Sequence, residues 1–255
     1  MESTTFALEV FNTVFRTKPI VVHAHGSHDY KPNWLPIKNA FFDLPKRQID
    51  MGNLVTVITC NNGHPSMGMF ERSLDHLGIP YRVFGQGINP WVNSRDKPLV
   101  LLQALGSVKT PYVLYADSRD AILIDDPDIA VTRFIENFQC RMLFGADRIN
   151  WPPIAEFQKY EEQQAFEYDT TFKFLNGGVW IGETAFSRDF FKKVINTPVA
   201  GKAPESEQGI LKKLFRAFKG EVALDYRCQI IQNIGFVADP IFEINIQQLE
   251  IPDKK

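Results

Sequence analysis

The spacing of apolar positions changes period repeatedly along this chain, and each change marks a strand giving way to a helix or the reverse. The apolar, β-branched run at 54–60 predicts a buried strand. Residues 65–77 turn helical, with Met69 or Phe70, Leu74 and Leu77 on one face and Gly78 as the stop. Tyr81–Phe84 is a second strand ending in Gly85-Gln86-Gly87, 97–107 a helix, and 112–115 a third strand. That βαβαβ order predicts a parallel sheet with right-handed crossovers. Pro127 opens a helix through DIAVTRFIENF, and 141–146 is a strand ending at Asp147. Helices over 156–166, 184–196 and 205–218 and strands over 172–182, 222–231 and 241–246 complete the pattern. At the amino end, 19–26 reads as a strand running into a glycine turn, and the proline-rich 27–47 as an irregular segment. No repeat or linker interrupts the pattern, so 1–255 is expected to form one α/β domain.

Composition adds little to this picture and excludes some partners. The 255 residues are 44% hydrophobic and 13% aromatic, ample for a packed core. The net charge of −2, from 28 basic and 30 acidic residues, gives no overall field toward nucleic acid or an anionic membrane. Cys60, Cys140 and Cys228 are widely spaced and set among apolar residues, as reduced buried thiols would be. The first residues lack a basic start with an apolar core, and no run approaches a membrane span, so a cytoplasmic location is expected.

The candidate chemistry sits in YVLYADSRD. Asp117 and Asp120 fall just past the carboxyl end of a buried strand, which is where open α/β sheets bind ligands. Two carboxylates there call for positive charge, and a divalent cation carrying nucleotide phosphates supplies it. The alternative is that Asp117 ends the strand and Asp120 caps the next helix or turn.

Taken in order, several motifs resemble the glycosyltransferase domain of procollagen lysyl hydroxylases and the related collagen galactosyltransferases. They are FGQG with an aromatic at 84–91, Lys97 opening a helix, VLYADSRD, LFGAD with Trp151-Pro152, FLNGGVWIG, SEQ at 206–208 and LDYRCQIIQN at 224–233. In that family a strand of the type PVVIHGNG comes after the last of these and its histidine completes a metal site. Here the matching PIVVHAHG occupies 19–26 and comes first, which implies a circular permutation with 1–50 as the displaced segment.

The resemblance implies a GT-A-like, Rossmann-like fold with a mostly parallel central sheet between helices. It also implies a metal-dependent transfer of glucose or galactose from a UDP-sugar to a hydroxyl. Asp117, Asp120 and His23 would hold Mn²⁺, or Mg²⁺, with the imidazole favouring Mn²⁺. Thr59 would lie near the nucleobase and Lys97 near the ribose or phosphates, unless both are structural, the lysine as a solvated helix-start residue. His25 and Gly26 would lie near the phosphates. Arg119 stands where the family has an aromatic that stacks on uracil, and a guanidinium stacks too. Trp151, Asn176, Gly177, Gly178, Glu207 and Gln208 would build the acceptor side, the paired glycines letting backbone approach a sugar. In an inverting reaction Glu207 would be the general base and Asp147 a second candidate, whereas a retaining reaction needs none. Otherwise Glu207 is a first-turn helix carboxylate.

Three further readings remain. The acceptor could be a hydroxymethylated DNA base, given local basic pairs such as Lys46-Arg47 and Lys192-Lys193. The chain could be a non-catalytic glycan-binding or nucleotide-binding module on the same fold. A nucleotidyltransferase would place a basic glycine-rich loop where CNNGHPSMG stands, and this loop has no lysine or arginine.

Overall fold

A computed structural model of the chain describes residues 5–26, 31–198 and 206–249. In chain order the first elements are β1 (Thr5–Asn12), β2 (Val21–His23), α1 (Trp34–Asp43), β3 (Val55–Cys60), α2 (Met69–Leu77), β4 (Tyr81–Phe84) and α3 (Asp96–Ser107). They are followed by β5 (Tyr112–Ala116), β6 (Ala121–Leu123), α4 (Pro127–Asn137), β7 (Met142–Asp147) and α5 (Ala155–Ala165). The chain continues through β8 (Phe174–Glu183), α6 (Thr184–Ile195), α7 (Gln208–Ala217), β9 (Val222–Asp225), β10 (Ile231–Asn233) and β11 (Phe242–Leu249).

The central sheet runs β4-β3-β5-β8-β7-β9. Its β4, β3 and β5 are mutually parallel, as are β7 and β9, and β8 alone runs antiparallel to both its neighbours. The protein is therefore α/β with a mostly parallel sheet and flanking helices. β8 is buried along nearly its whole length because it lies mid-sheet under helices. Trp180, at its centre, stacks on Tyr115 with ring centroids 5.5 Å apart and packs on Phe191. Between Phe144 and Gly145 the β7–β8 register shifts, and the surplus β8 residues are Gly177 to Val179, beside the carboxyl end of β5.

A second, three-stranded sheet, β10-β2-β6, places His23 opposite Asn233 on one side and Ala121 on the other. Gly145 lets it dock, since a Cβ there would lie 2.6 Å from the Asn233 amide nitrogen and 2.7 Å from Ile231. β1 and β11 pair as a separate antiparallel ribbon, Thr5 opposite Leu249.

The structure corrects several sequence expectations. The supposed irregular segment contains α1, whose Pro36 lies in the first turn, where a missing N–H costs no helical bond; its Ile37 and Phe41 are buried. Residues 27–30 of that segment lie outside the described residues, as does 205, the expected start of a helix that begins at Gln208. The helix expected from 65 begins at Met69, after Gly68 with φ of 100°. Strands β1 and β6 are additional. The strand expected over 222–231 is two strands, separated by a turn that holds Cys228 at φ 51°.

Asp225 fixes that turn. Its carboxylate accepts from the backbone N–H of Gln229, Ile230 and Ile231 at 2.7–2.9 Å. Burial nonetheless pushes its pKa up to about 6, against those donors. Asp225→Ala would leave two buried N–H groups and one part-buried N–H without an acceptor, at ~1–3 kcal/mol for each buried one. Urea unfolding of the variant should show a stability loss of about 3 kcal/mol or more.

Candidate functional site

Three elements converge at the carboxyl end of the central sheet. β5 delivers Asp117, whose backbone N–H donates to the Gly178 carbonyl at 2.8 Å; the turn into β6 delivers Asp120, and β2 delivers His23. One ligand atom from each of these three side chains lies within 4.8 Å of the others, a donor set that suits a divalent cation. Asn233 sets the histidine. Its amide nitrogen donates to the Ala146 carbonyl at 2.8 Å, which turns its oxygen toward His23 Nδ1, also at 2.8 Å. Nδ1 therefore carries hydrogen, and Nε2 points at Asp120 Oδ1, 3.2 Å away, as a ligand nitrogen should. Burial alone would lower the His23 pKa, but Asp120, Asp117 and Asn233 raise it overall. Burial would raise Asp120; His23, Arg119 and Lys31 bring it below the ordinary carboxylate value.

Lys97 is the second organising group. In the first turn of α3 it is buried, with Nζ 2.8 Å from both Asp117 Oδ1 and Glu207 Oε1. It is therefore not a solvated helix-start residue. Burial opposes its charge, yet the two carboxylates raise its pKa well above the ordinary lysine value. Tyr115 donates to the same Asp117 oxygen at 2.6 Å.

Behind them, the Asn176 amide donates to Asp147 Oδ2 at 3.0 Å while its oxygen accepts from Gly178 N–H. His25 Nε2 lies 2.8 Å from the same Asp147 oxygen, a close contact without the alignment of a hydrogen bond. Burial would raise the Asp147 pKa; His25, Ile149 N–H and Asn176 bring it below the usual range. Gln208 accepts from Gly177 N–H at 3.0 Å and donates to the Trp151 carbonyl, tying the start of α7 to the Trp151 loop. A Cβ on Gly178 would sit 2.2 Å from His23 Cε1 and 2.9 Å from Asp117 Oδ2, so only glycine lets the triad close.

Two cavities flank this cluster. The larger, about 620 Å³, is walled by Asn62, His64, Trp91 and Arg119; the other, about 470 Å³, by Asp147, Trp151, Asn176, Glu207 and Gln208. His23, His25, Gly26, Lys97, Asp117 and Arg119 line both. The structure thus brings together the expected site residues with one exception. Thr59 is fully buried, and its hydroxyl donates to the Ala116 carbonyl at 2.7 Å. Along β3 successive side chains alternate, and it is Cys60 that reaches the larger cavity.

Sequence reasoning gave no role to Tyr115, Asn233 or Trp91, although each lies inside a quoted motif. Tyr115 lies two residues before Asp117 and so shares its side of the strand, a signal present in the sequence. Asn233 sits inside a quoted motif, but its role depends on β10 pairing with β2 across the whole chain.

In comparisons with known proteins, the sequence model described as the PLOD GT domain matches residues 51–251. No curated protein matches the sequence. Similar solved structures include Mycobacterium tuberculosis glucosyl-3-phosphoglycerate synthase with Mn²⁺, UDP and phosphoglyceric acid. It is 12% identical, with 92% of this chain and 80% of that one covered and a TM-score of 0.37. The same enzyme with UDP-glucose and glycerol 3-phosphate gives 12%, 84% and 78%, with a TM-score of 0.40. Mouse xyloside xylosyltransferase 1 gives 9%, 80% and 82%, with a TM-score of 0.38.

Lys97→Met would leave Asp117 and Glu207 facing each other across a buried, uncompensated gap. Removing one partner of a buried ion pair costs ~3–5 kcal/mol, and the part-exposure of Asp117 argues for the lower end. The raised lysine pKa means the contribution is fully present at neutral pH, below the unfolded-state value, and is lost only as alkaline pH rises through the folded one. Denaturation of the metal-free variant at pH 7 should therefore show a loss of about 3 kcal/mol.

Proposed function

Because this chain belongs to the family of the PLOD glycosyltransferase domain, we propose that it is a metal-dependent enzyme moving a hexose, glucose or galactose, from a UDP-sugar to a hydroxyl acceptor. The observation that carries this reading is the His23, Asp117 and Asp120 cluster, of which His23 and Asp117 lie on the wall shared by two cavities and Asp120 lines the larger. A donor in the larger cavity and an acceptor in the smaller would meet there.

The three side chains suit Mn²⁺ in number, chemistry and closeness, and Asn233 holds His23 in the tautomer a cation requires. Bound there, the ion would act as Lewis acid for the departing diphosphate. The remaining work falls to the protein. Lys97 supplies a fixed positive charge beside Asp117, and Arg119, half-exposed on the cavity wall, can stack on the base or meet a phosphate. Glu207 stands in the acceptor cavity, and we assign it the acceptor proton in an inverting reaction. Asp147, held by Asn176 and His25, is the second candidate. Trp151 offers a half-exposed aromatic wall to the acceptor.

The acceptor as a DNA base finds less support, because several of the basic residues that would form a DNA-binding face are engaged by carboxylates of this chain. Lys18 meets Glu9, Arg47 meets Asp125, Lys192 meets Asp189, and Lys212 is buried against Glu161.

Thermal unfolding with Mn²⁺ and UDP-glucose or UDP-galactose, with and without chelator, tests the donor site. A ligand at ~100 times its dissociation constant adds roughly 2.7 kcal/mol. A metal-dependent rise for one donor, absent in His23→Ala and Asp120→Ala, is expected. No rise with any donor would leave the binding-module reading.

We also read the chain as circularly permuted. The family match begins at 51, and β1 lies antiparallel to β11 with Thr5 opposite Leu249, as the two arms of a hairpin would. A rearranged chain starting at 51, in which residues 5–50 come after Leu249 through a two-residue turn, should keep the melting temperature and Mn²⁺ affinity of the natural order. Failure of that chain to fold would sink the reading.

A further inference from the structure

Among the described residues the β1–β11 ribbon ends in a bare edge. There β11 pairs with β1 alone, and residues 243–248 are exposed throughout. Natural sheets blunt such edges with lysine, proline or a bulge. β11 reads FEINIQQL, with Glu243 its only charge, and its pairing with β1 is unbroken. Ile244 and Ile246 pair with Val10 and Leu8, so they share the face on which those two side chains are buried. Yet Ile244 is 37% and Ile246 59% exposed, because the apolar face continues past the material that covers it.

The backbone phase of this edge is set by two bonds. Asn12 N–H donates to Thr17 rather than to β11, and Thr13 N–H donates to the Ile241 carbonyl. By alternation, the backbone groups of Glu243, Asn245 and Gln247 turn to β1, while those of Phe242, Ile244, Ile246 and Gln248 point outward. The free edge therefore carries its unpaired donors and acceptors on the same residues that carry the overhanging isoleucines.

We propose that this edge is a homodimer interface, in which β11 of a second copy adds antiparallel across a two-fold axis at Asn245. In that register Ile244 meets Ile246 of the partner subunit twice over. Glu243 lies opposite the partner's Gln247, a carboxylate against an amide, and no like charges face each other. Phe242 lies opposite the partner's Gln248, and the outward backbone groups of the two strands meet as hydrogen-bonded pairs. Centring the axis on Ile246 instead would set Ile244 against glutamine and Glu243 against leucine. Centring it on Ile244 would shorten the overlap. A two-fold contact closes on itself, and the result is a continuous four-stranded sheet, β1-β11-β11-β1, with no bare edge at its middle.

Sedimentation of the full chain over a range of concentrations tests this, and should show a mass that doubles toward the dimer. Ile246→Lys puts a charge on an already exposed position that lines neither cavity, and should return the protein to monomer with its Mn²⁺ response unchanged and a melting temperature that no longer rises with concentration. Register is tested by mild oxidation. Asn245 faces its own copy in a pair that is not hydrogen-bonded, where side chains come closest, so Asn245→Cys should cross-link to a covalent dimer. Gln247→Cys, which faces Glu243 in the other copy, should cross-link no more than the natural chain with its own cysteines. A natural chain that stays monomeric at high concentration overturns the proposal. So does a dimer that survives Ile246→Lys, or equal cross-linking of the two cysteine variants.

Discussion

Negative charge crowded at one end of a sheet is the constraint around which this structure is arranged. Asp117, Asp120, Asp147 and Glu207 converge there, three of them buried by the whole residue and Asp117 half-buried. Carboxylates out of water are tolerated only when each has its own compensation. Lys97 serves two of them, His23 with Lys31 and Arg119 the third, and His25 with Asn176 the fourth. The compensating groups come from α3, β2, β8 and the segments beside them, elements far apart in sequence. The charge pattern is therefore a tertiary property, and the loops hold their positions largely because it must be satisfied.

Geometry makes room for this crowding. A strand opposed to its neighbours runs through the middle of the sheet, and the register shift against β7 puts surplus residues of β8 beside Asp117. Those residues are Gly177, Gly178 and Val179, with Asn176 paired to Gly145 at their edge. The asparagine bonds to Asp147, and Gly178 leaves the space His23 occupies. Without the surplus, the Asp117 end of β5 and the Asp147 end of β7 would be separated by ordinary ladder. With it, they share one cleft. Asp225, on the adjoining β9, holds the turn that returns the chain as β10 and so delivers Asn233 to His23.

Much of this was legible in the sequence where the pattern was local. The alternation of β3, α2, β4, α3 and β5 was plain from apolar spacing and glycine stops, and β5 with its two aspartates stood out because a buried run ends in charge. The opening segment was legible only as a motif. Its helix α1 was hidden by prolines that a first turn accommodates, and β1 finds its partner at β11, a pairing no window reveals. Thr59 and Cys60 show the limit of strand-end arguments: one residue of phase decides which reaches the cavity. Lys97 shows a different limit. A lysine at a helix start is usually solvated, and only the two carboxylates brought to it from β5 and α7 explain its burial.

Lys97 also bears on how the two cavities are coupled. On the proposed reaction, negative charge would leave the acceptor side, where Glu207 stands, and build on the donor side, where Asp117 stands. A single ammonium 2.8 Å from each carboxylate is placed between the two, and its position is fixed before any substrate arrives. Preorganised charge of this kind needs no rearrangement as a reaction proceeds, which is the condition under which electrostatic stabilisation is largest. An arginine could offer more hydrogen bonds, but its planar fork commits to one bidentate partner. A compact ammonium donates along three directions and can hold two carboxylates and lie 5.3 Å from the Tyr115 ring centroid at once. The residue type at this position is therefore dictated by the geometry of the cleft as much as by its charge.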